Sequence, residues 1–124
     1  MDVPILKLGS YLIVTLQQAP TDSEFANLQI QVAERIGAHR ARGVVLDVSM
    51  VDVLDSYGTR TLQDMAHTSR LRGADMVISG IQPDVAFAMA QLGLRLEGAE
   101  MALDVEAGLA HFLAFTEWPL DARV

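Results

Sequence analysis

The run Val44-Val45-Leu46-Asp47-Val48 constrains this chain more than any other segment, because its apolar side chains fall on both faces of an extended strand. Successive side chains in a strand alternate between faces, so such a run needs a covering layer on each side, as a central strand of a parallel sheet has. Met76-Val77-Ile78 reads the same way. Between the two, from about Ser56 to Arg72, Leu62, Met65, Ala66 and Ser69 share one helical face and Gly73 stops the element.

The flanking segments extend the alternation. Ile5-Leu6-Lys7-Leu8 and Tyr11-Leu12-Ile13-Val14-Thr15-Leu16, separated by Gly9-Ser10, predict an antiparallel hairpin. After Pro20, Thr21-Asp22-Ser23-Glu24 has the form of a capping box, and Phe25, Leu28, Val32 and Ile36 predict an amphipathic helix to about Arg40. Pro83 opens a third helix, ending at Gly93, in which Phe87, Met89 and Leu92 are expected to be core. A short strand around Met101 and a last helix capped by Asp104 complete the order ββαβαβα(β)α. That is an α/β arrangement with a small mixed, mostly parallel sheet.

With 124 residues the chain has room for one domain. Seven aromatics leave an aliphatic core, and the absence of cysteine excludes disulfides, Fe–S clusters and thiol nucleophiles. A formal charge of −7 and scattered basic residues, apart from the loose group Arg35, Arg40 and Arg42, argue against nucleic acid. Met1-Asp2-Val3-Pro4 lacks the basic and apolar regions of a signal peptide, and no apolar run approaches the roughly 20 residues of a membrane span. A soluble, cytoplasmic protein is expected. The residues from Thr116 to Val124 form a C-terminal tail after a domain spanning 1–115, with Trp118 either exposed or packed onto the body or a partner.

Ligands in open α/β sheets collect beyond the carboxyl ends of the strands, which draws attention to the segment from Val48 to Ser56. There Val53-Leu54 anchors a turn, and Ser56 stands at the start of a helix beside Asp55, Tyr57 and Gly58. The ordinary role of such a serine is an N-cap. It is equally a place where a phosphoryl group would meet free N–H donors and the positive end of a helix dipole, while adding negative charge beside Asp52 and Asp55. Gly58 offers no side chain to hinder an approaching molecule.

Asp47, Asp52 and Asp55 raise the alternative of a Mg²⁺-dependent enzyme, although solvated turn aspartates explain them more simply. His67 lies eleven residues beyond Ser56, about 16 Å along a helix, too far to act as its base. His39 and His111 are lone histidines near helix ends. Walker A, G-x-G-x-x-G and G-x-S-x-G motifs are absent. Neither catalysis nor a metal or organic cofactor is indicated.

The stretch Val53-Leu54-Asp55-Ser56-Tyr57-Gly58-Thr59-Arg60-Thr61-Leu62 resembles the phosphoacceptor segment of STAS domains, the anti-sigma-factor antagonists. Val3-Pro4-Ile5-Leu6-Lys7-Leu8, Gly43-Val44-Val45-Leu46-Asp47, Ser69-Arg70-Leu71-Arg72-Gly73-Ala74, Gly80-Ile81-Gln82-Pro83 and residues 102–109 resemble the stressosome-scaffold (RsbS-type) branch, in order and to about Phe112. The resemblance implies a STAS fold with helices mainly on one face and Ser56 as the phosphoacceptor. Asp55, Tyr57 and Gly58 would surround it on a kinase-contact surface. It implies assembly with RsbR-type STAS paralogues, capture of an RsbT-type serine kinase, release on phosphorylation, and resetting by an RsbX-type phosphatase. Ser where the RsbR-type paralogues have Thr, and a start directly at the STAS strands, favour the scaffold branch. Gly58 belongs to the general antagonist motif and keeps open a simple anti-sigma-factor antagonist outside any stressosome.

Overall fold

The structure, a computed structural model, describes residues 3–113. The tail from residue 116, with Trp118, and the expected domain boundary at residue 115 lie outside them. β1 (Ile5–Leu8) and β2 (Tyr11–Thr15) pair antiparallel with Leu8 opposite Tyr11, and Gly9 takes φ +61° in the two-residue turn between them. A hairpin that tight needs a left-handed residue, which glycine supplies without steric cost.

Then follow α1 (Asp22–His39), β3 (Gly43–Asp47), α2 (Ser56–Leu71), β4 (Asp75–Ser79), α3 (Pro83–Gln91), β5 (Glu100–Ala102) and α4 (Val105–Phe112). The sheet order is β1-β2-β3-β4-β5, and every pairing after the hairpin is parallel. β3 is therefore central, and its first four residues are buried.

The two faces of the sheet carry unequal cores. Val44 and Leu46 of β3 join Leu12, Val14, Met76 and Ile78 on the first face, covered by Phe25, Leu28, Val32 and Ile36 of α1 and by Leu62, Met65 and Ala66 of α2. Each such Val, Leu, Ile, Phe or Met side chain, fully removed from water, contributes about 1.5–3 kcal/mol. On the second face Val45, Val77 and Tyr11 meet Phe112 of α4. The Phe112 and Tyr11 rings stack at 5.1 Å with 6° between planes. Phe112 reaches that place because position 43 is glycine: a Cβ there would lie 2.6 Å from the ring.

In α3 the expected core differs from the observed one. Val85 and Met89 are buried, but Phe87 and Leu92 are 71% and 66% exposed. Val85 and Met89 are four residues apart and share a face; Phe87, two from each, is turned away from it. Leu92 lies past the last helical residue, as the C-cap.

Candidate functional site

From the carboxyl end of β3 the chain folds back at once. The Val48 N–H donates to Ser79 O at 2.9 Å, and the Val51 N–H donates to Val48 O at 3.0 Å. Val51 and Leu54 are buried and hold this connection, whereas Val53 is 62% exposed, so the anchoring pair is Val51 and Leu54 rather than Val53-Leu54. Gln82 Nε2, from the connection after β4, donates to Ser49 O at 2.9 Å and ties the two carboxyl-end loops together. The start of α2 is thereby set at the carboxyl edge of the sheet.

Asp55 caps α2, and Ser56 does not. Asp55 has extended backbone, φ −88° and ψ −174°, and its Oδ1 accepts the Gly58 N–H at 2.8 Å. Ser56 is the first residue inside the helix; it is exposed, and its hydroxyl has no hydrogen-bond partner among the described residues. Both residue types are favoured caps, but a carboxylate adds a full negative charge at the positive end of the helix dipole. Taking that position relieves the serine of the duty.

Of the expected contact surface, Asp55 and Tyr57 are exposed. The Tyr57 ring meets Phe25 of α1 edge-on, with 6.5 Å between centroids. Gly58 is buried instead: a Cβ there would lie 2.9 Å from Leu54 Cδ1 and 3.0 Å from Phe25 Cε2. The missing side chain admits the α1–α2 contact, not an external molecule.

One turn along α2, a cleft of about 340 Å³ brings Ser56, Thr59, Arg60 and Gln63 opposite Arg95 and Glu97 of the connection between α3 and β5. The two arginines are absent from the sequence-based site. Arg60 was detectable as the residue four after Ser56, one turn on along the same helix face. Arg95 carries no local signal, because only the tertiary fold brings it there. A roomier concavity of about 490 Å³ lies between α3 and β5, and its lining side chains, Met89, Leu94, Met101 and Leu103 among them, are all apolar, with none that is charged or hydrogen-bonding.

The acidic residues serve separate local roles. Asp47 Oδ1 accepts the Ser49 N–H at 2.9 Å, Asp55 caps α2, and Asp52 is exposed. Among the described residues no group of three or more His, Asp or Glu is placed to hold a metal ion. His67 lies against Gly98, away from Ser56. No helix among the described residues is long and apolar enough to cross a membrane.

Comparison with known proteins places this geometry in context. The model of the STAS domain family matches residues 3–107. A serine-to-glutamate variant of RsbS from Moorella thermoacetica is 30% identical, with 94% of this chain and 99% of that one covered at a TM-score of 0.79. A chain from the molecular architecture of the stressosome, a signal integration and transduction hub, is 30% identical over 91% of this chain and 100% of its own, at a TM-score of 0.72. The anti-sigma factor antagonist SpoIIAA in its unphosphorylated form shares the fold, with a TM-score of 0.71 over 93% of this chain and 99% of its own at 9% identity. The uncharacterized protein YezB of Bacillus subtilis (strain 168) is 36% identical over 63 residues, and the match spans 51% of this chain and 64% of YezB, less than two thirds of that relative.

Proposed function

Because this chain belongs to the STAS domain family, we propose that it is a non-catalytic stressosome scaffold and switch that holds an RsbT-type serine kinase and releases it when Ser56 is phosphorylated. The observation that carries this reading is the Ser56 hydroxyl, exposed at the carboxyl edge of the sheet and free of capping duty. The full-length similarity to RsbS and to a stressosome chain supports the choice of branch.

In the transfer, Ser56 Oγ forms a bond to the γ-phosphorus of ATP, the bond from that phosphorus to the β–γ bridging oxygen breaks, and ADP leaves. The hydroxyl proton passes to a base supplied by the kinase. The product carries close to two negative charges where a neutral hydroxyl stood, beside Asp55 and within the surface that Tyr57 shares. A kinase face complementary to the bare serine then meets repulsion and an added desolvation cost. An RsbX-type phosphatase restores the hydroxyl. RsbR-type paralogues join the assembly, and its setting is cytoplasmic.

Incubation with the cognate kinase and ATP is expected to place phosphate on Ser56 and none on Ser56→Ala; equal labelling of both would sink the assignment. Size-exclusion with an RsbR-type paralogue and the kinase is expected to give a very large complex that sheds the kinase after ATP. Kinase release without a large complex would instead identify an anti-sigma-factor antagonist acting outside a stressosome.

A further inference from the structure

The cleft beside Ser56 has the composition of an anion site before any anion is there. Arg60 and Arg95 face one carboxylate, Glu97, so its lining carries excess positive charge in a chain whose formal charge is −7. Thr59, 3% exposed, also lines the cleft, and its hydroxyl is buried with no hydrogen-bond partner among the described residues. That oxygen is closed off from the cleft, so the exposed and charged groups are the ones an occupant meets. Ser56 lies on the same lining, in the first turn of a 16-residue helix whose leading N–H groups have no intrahelical acceptors.

We infer that this cleft is a phosphoryl-receiving site, and that its occupant is the phosphate carried by Ser56 itself. This rests on the reading of Ser56 as the phosphoacceptor. The phosphate's oxygens take the Arg60 guanidinium from one turn along α2 and Arg95 from across the cleft. Arg60 belongs to the same helix as Ser56 and only holds the phosphate. Arg95 belongs to the connection between α3 and β5, so engaging it ties that connection to α2. Phosphorylation then has two effects: it changes the charge at Ser56, and it fixes residues 93–97 against the helix. The second alters the surface a partner reads some distance from the serine.

The test uses full-length protein with phosphoserine installed at position 56 by genetic encoding, so no kinase is needed and a wrong kinase assignment leaves the test intact. Phosphorus NMR is expected to show the second ionisation of this phosphate falling by about half a unit below its usual value of about 6, because nearby guanidinium groups favour the dianion. Amide exchange in residues 93–97 is expected to slow by roughly fivefold relative to the unmodified chain, the lower end of ordinary coupling between linked sites. Arg95→Gln should abolish the slowing while leaving part of the ionisation shift, and Arg60→Gln should reduce the shift.

An ionisation near 6 together with unchanged exchange at 93–97 would overturn the inference. So would a shift indifferent to Arg60→Gln and Arg95→Gln, since the helix start alone would then account for it. Millimolar inorganic phosphate added to the unmodified chain should perturb the side-chain resonances of Arg60 and Arg95, and should lose that effect once Ser56 bears its own phosphate. If free phosphate binds both forms equally, the cleft is a site for a diffusible anion and the occupancy proposed here is wrong.

Discussion

α1 and α2 start in opposite ways, although both starts are built from a hydroxyl and a carboxylate. At α1 the Thr21 hydroxyl accepts the Glu24 N–H at 3.2 Å, and Glu24 Oε1 accepts the Thr21 N–H at 2.8 Å, so each satisfies the other's backbone. At α2 the carboxylate of Asp55 caps alone, and the hydroxyl of Ser56 is left over. The difference bears on the phosphorylation proposed at Ser56. Phosphorylating a capping hydroxyl modifies the oxygen that holds the helix end, whereas a serine placed just after a carboxylate cap can gain or lose a phosphate without altering the capping bond.

The largest expected effect tests the packing beneath the α2 start. Gly58→Val drives a branched side chain into Leu54 and Phe25 and is expected to cost about 1–3 kcal/mol, read as a lower urea midpoint. An unchanged midpoint would mean that the seam between α1 and α2 has slack and that Gly58 matters for something outside the fold.

Next come the two neighbours at the cap itself. Asp55→Ala is expected to lose about 1 kcal/mol, the usual cost of removing a cap, while Ser56→Ala stays within about 0.5 kcal/mol of the parent. The reverse order in chemical denaturation would restore Ser56 as the cap and remove the basis of the contrast with α1.

The smallest effect belongs to α1. The hydrogen bond from the Thr21 backbone lowers the pKa of Glu24 below its ordinary 4.5. A carboxyl whose folded pKa is depressed contributes stability that is fully present above its unfolded pKa and is lost as pH falls through the folded value. Glu24→Gln should therefore be slightly less stable than the parent at neutral pH and match it below the lowered value. A gap that persists in acid would assign the loss to packing rather than to the charge.

Much of this architecture is legible without coordinates, because its signals are local. The Gly9-Ser10 turn, the Thr21–Glu24 box, Pro83 at the first turn of α3 and Asp104 accepting the Ala107 N–H at 2.8 Å each act within four residues. The place of Phe87 is legible in the same way: its spacing from Val85 and Met89 turns it away from the core although it is apolar. Gly58 is a different case. Its meaning depends on Phe25, thirty-three residues earlier, which meets it only when α1 and α2 lie side by side.

Alone, the sequence determined the order of strands and helices, the doubly covered central strand, and the presence of a serine at the head of α2. Periodicity and capping chemistry are short-range and need no partner segment. Only the tertiary structure decided that Asp55 and not Ser56 takes the cap, because both are favoured cap types and it is the point where extended backbone gives way to helix that tells them apart. It also decided that Arg95, thirty-nine residues from Ser56, faces the same cleft, since the parallel sheet sets the connection between α3 and β5 beside the first turns of α2.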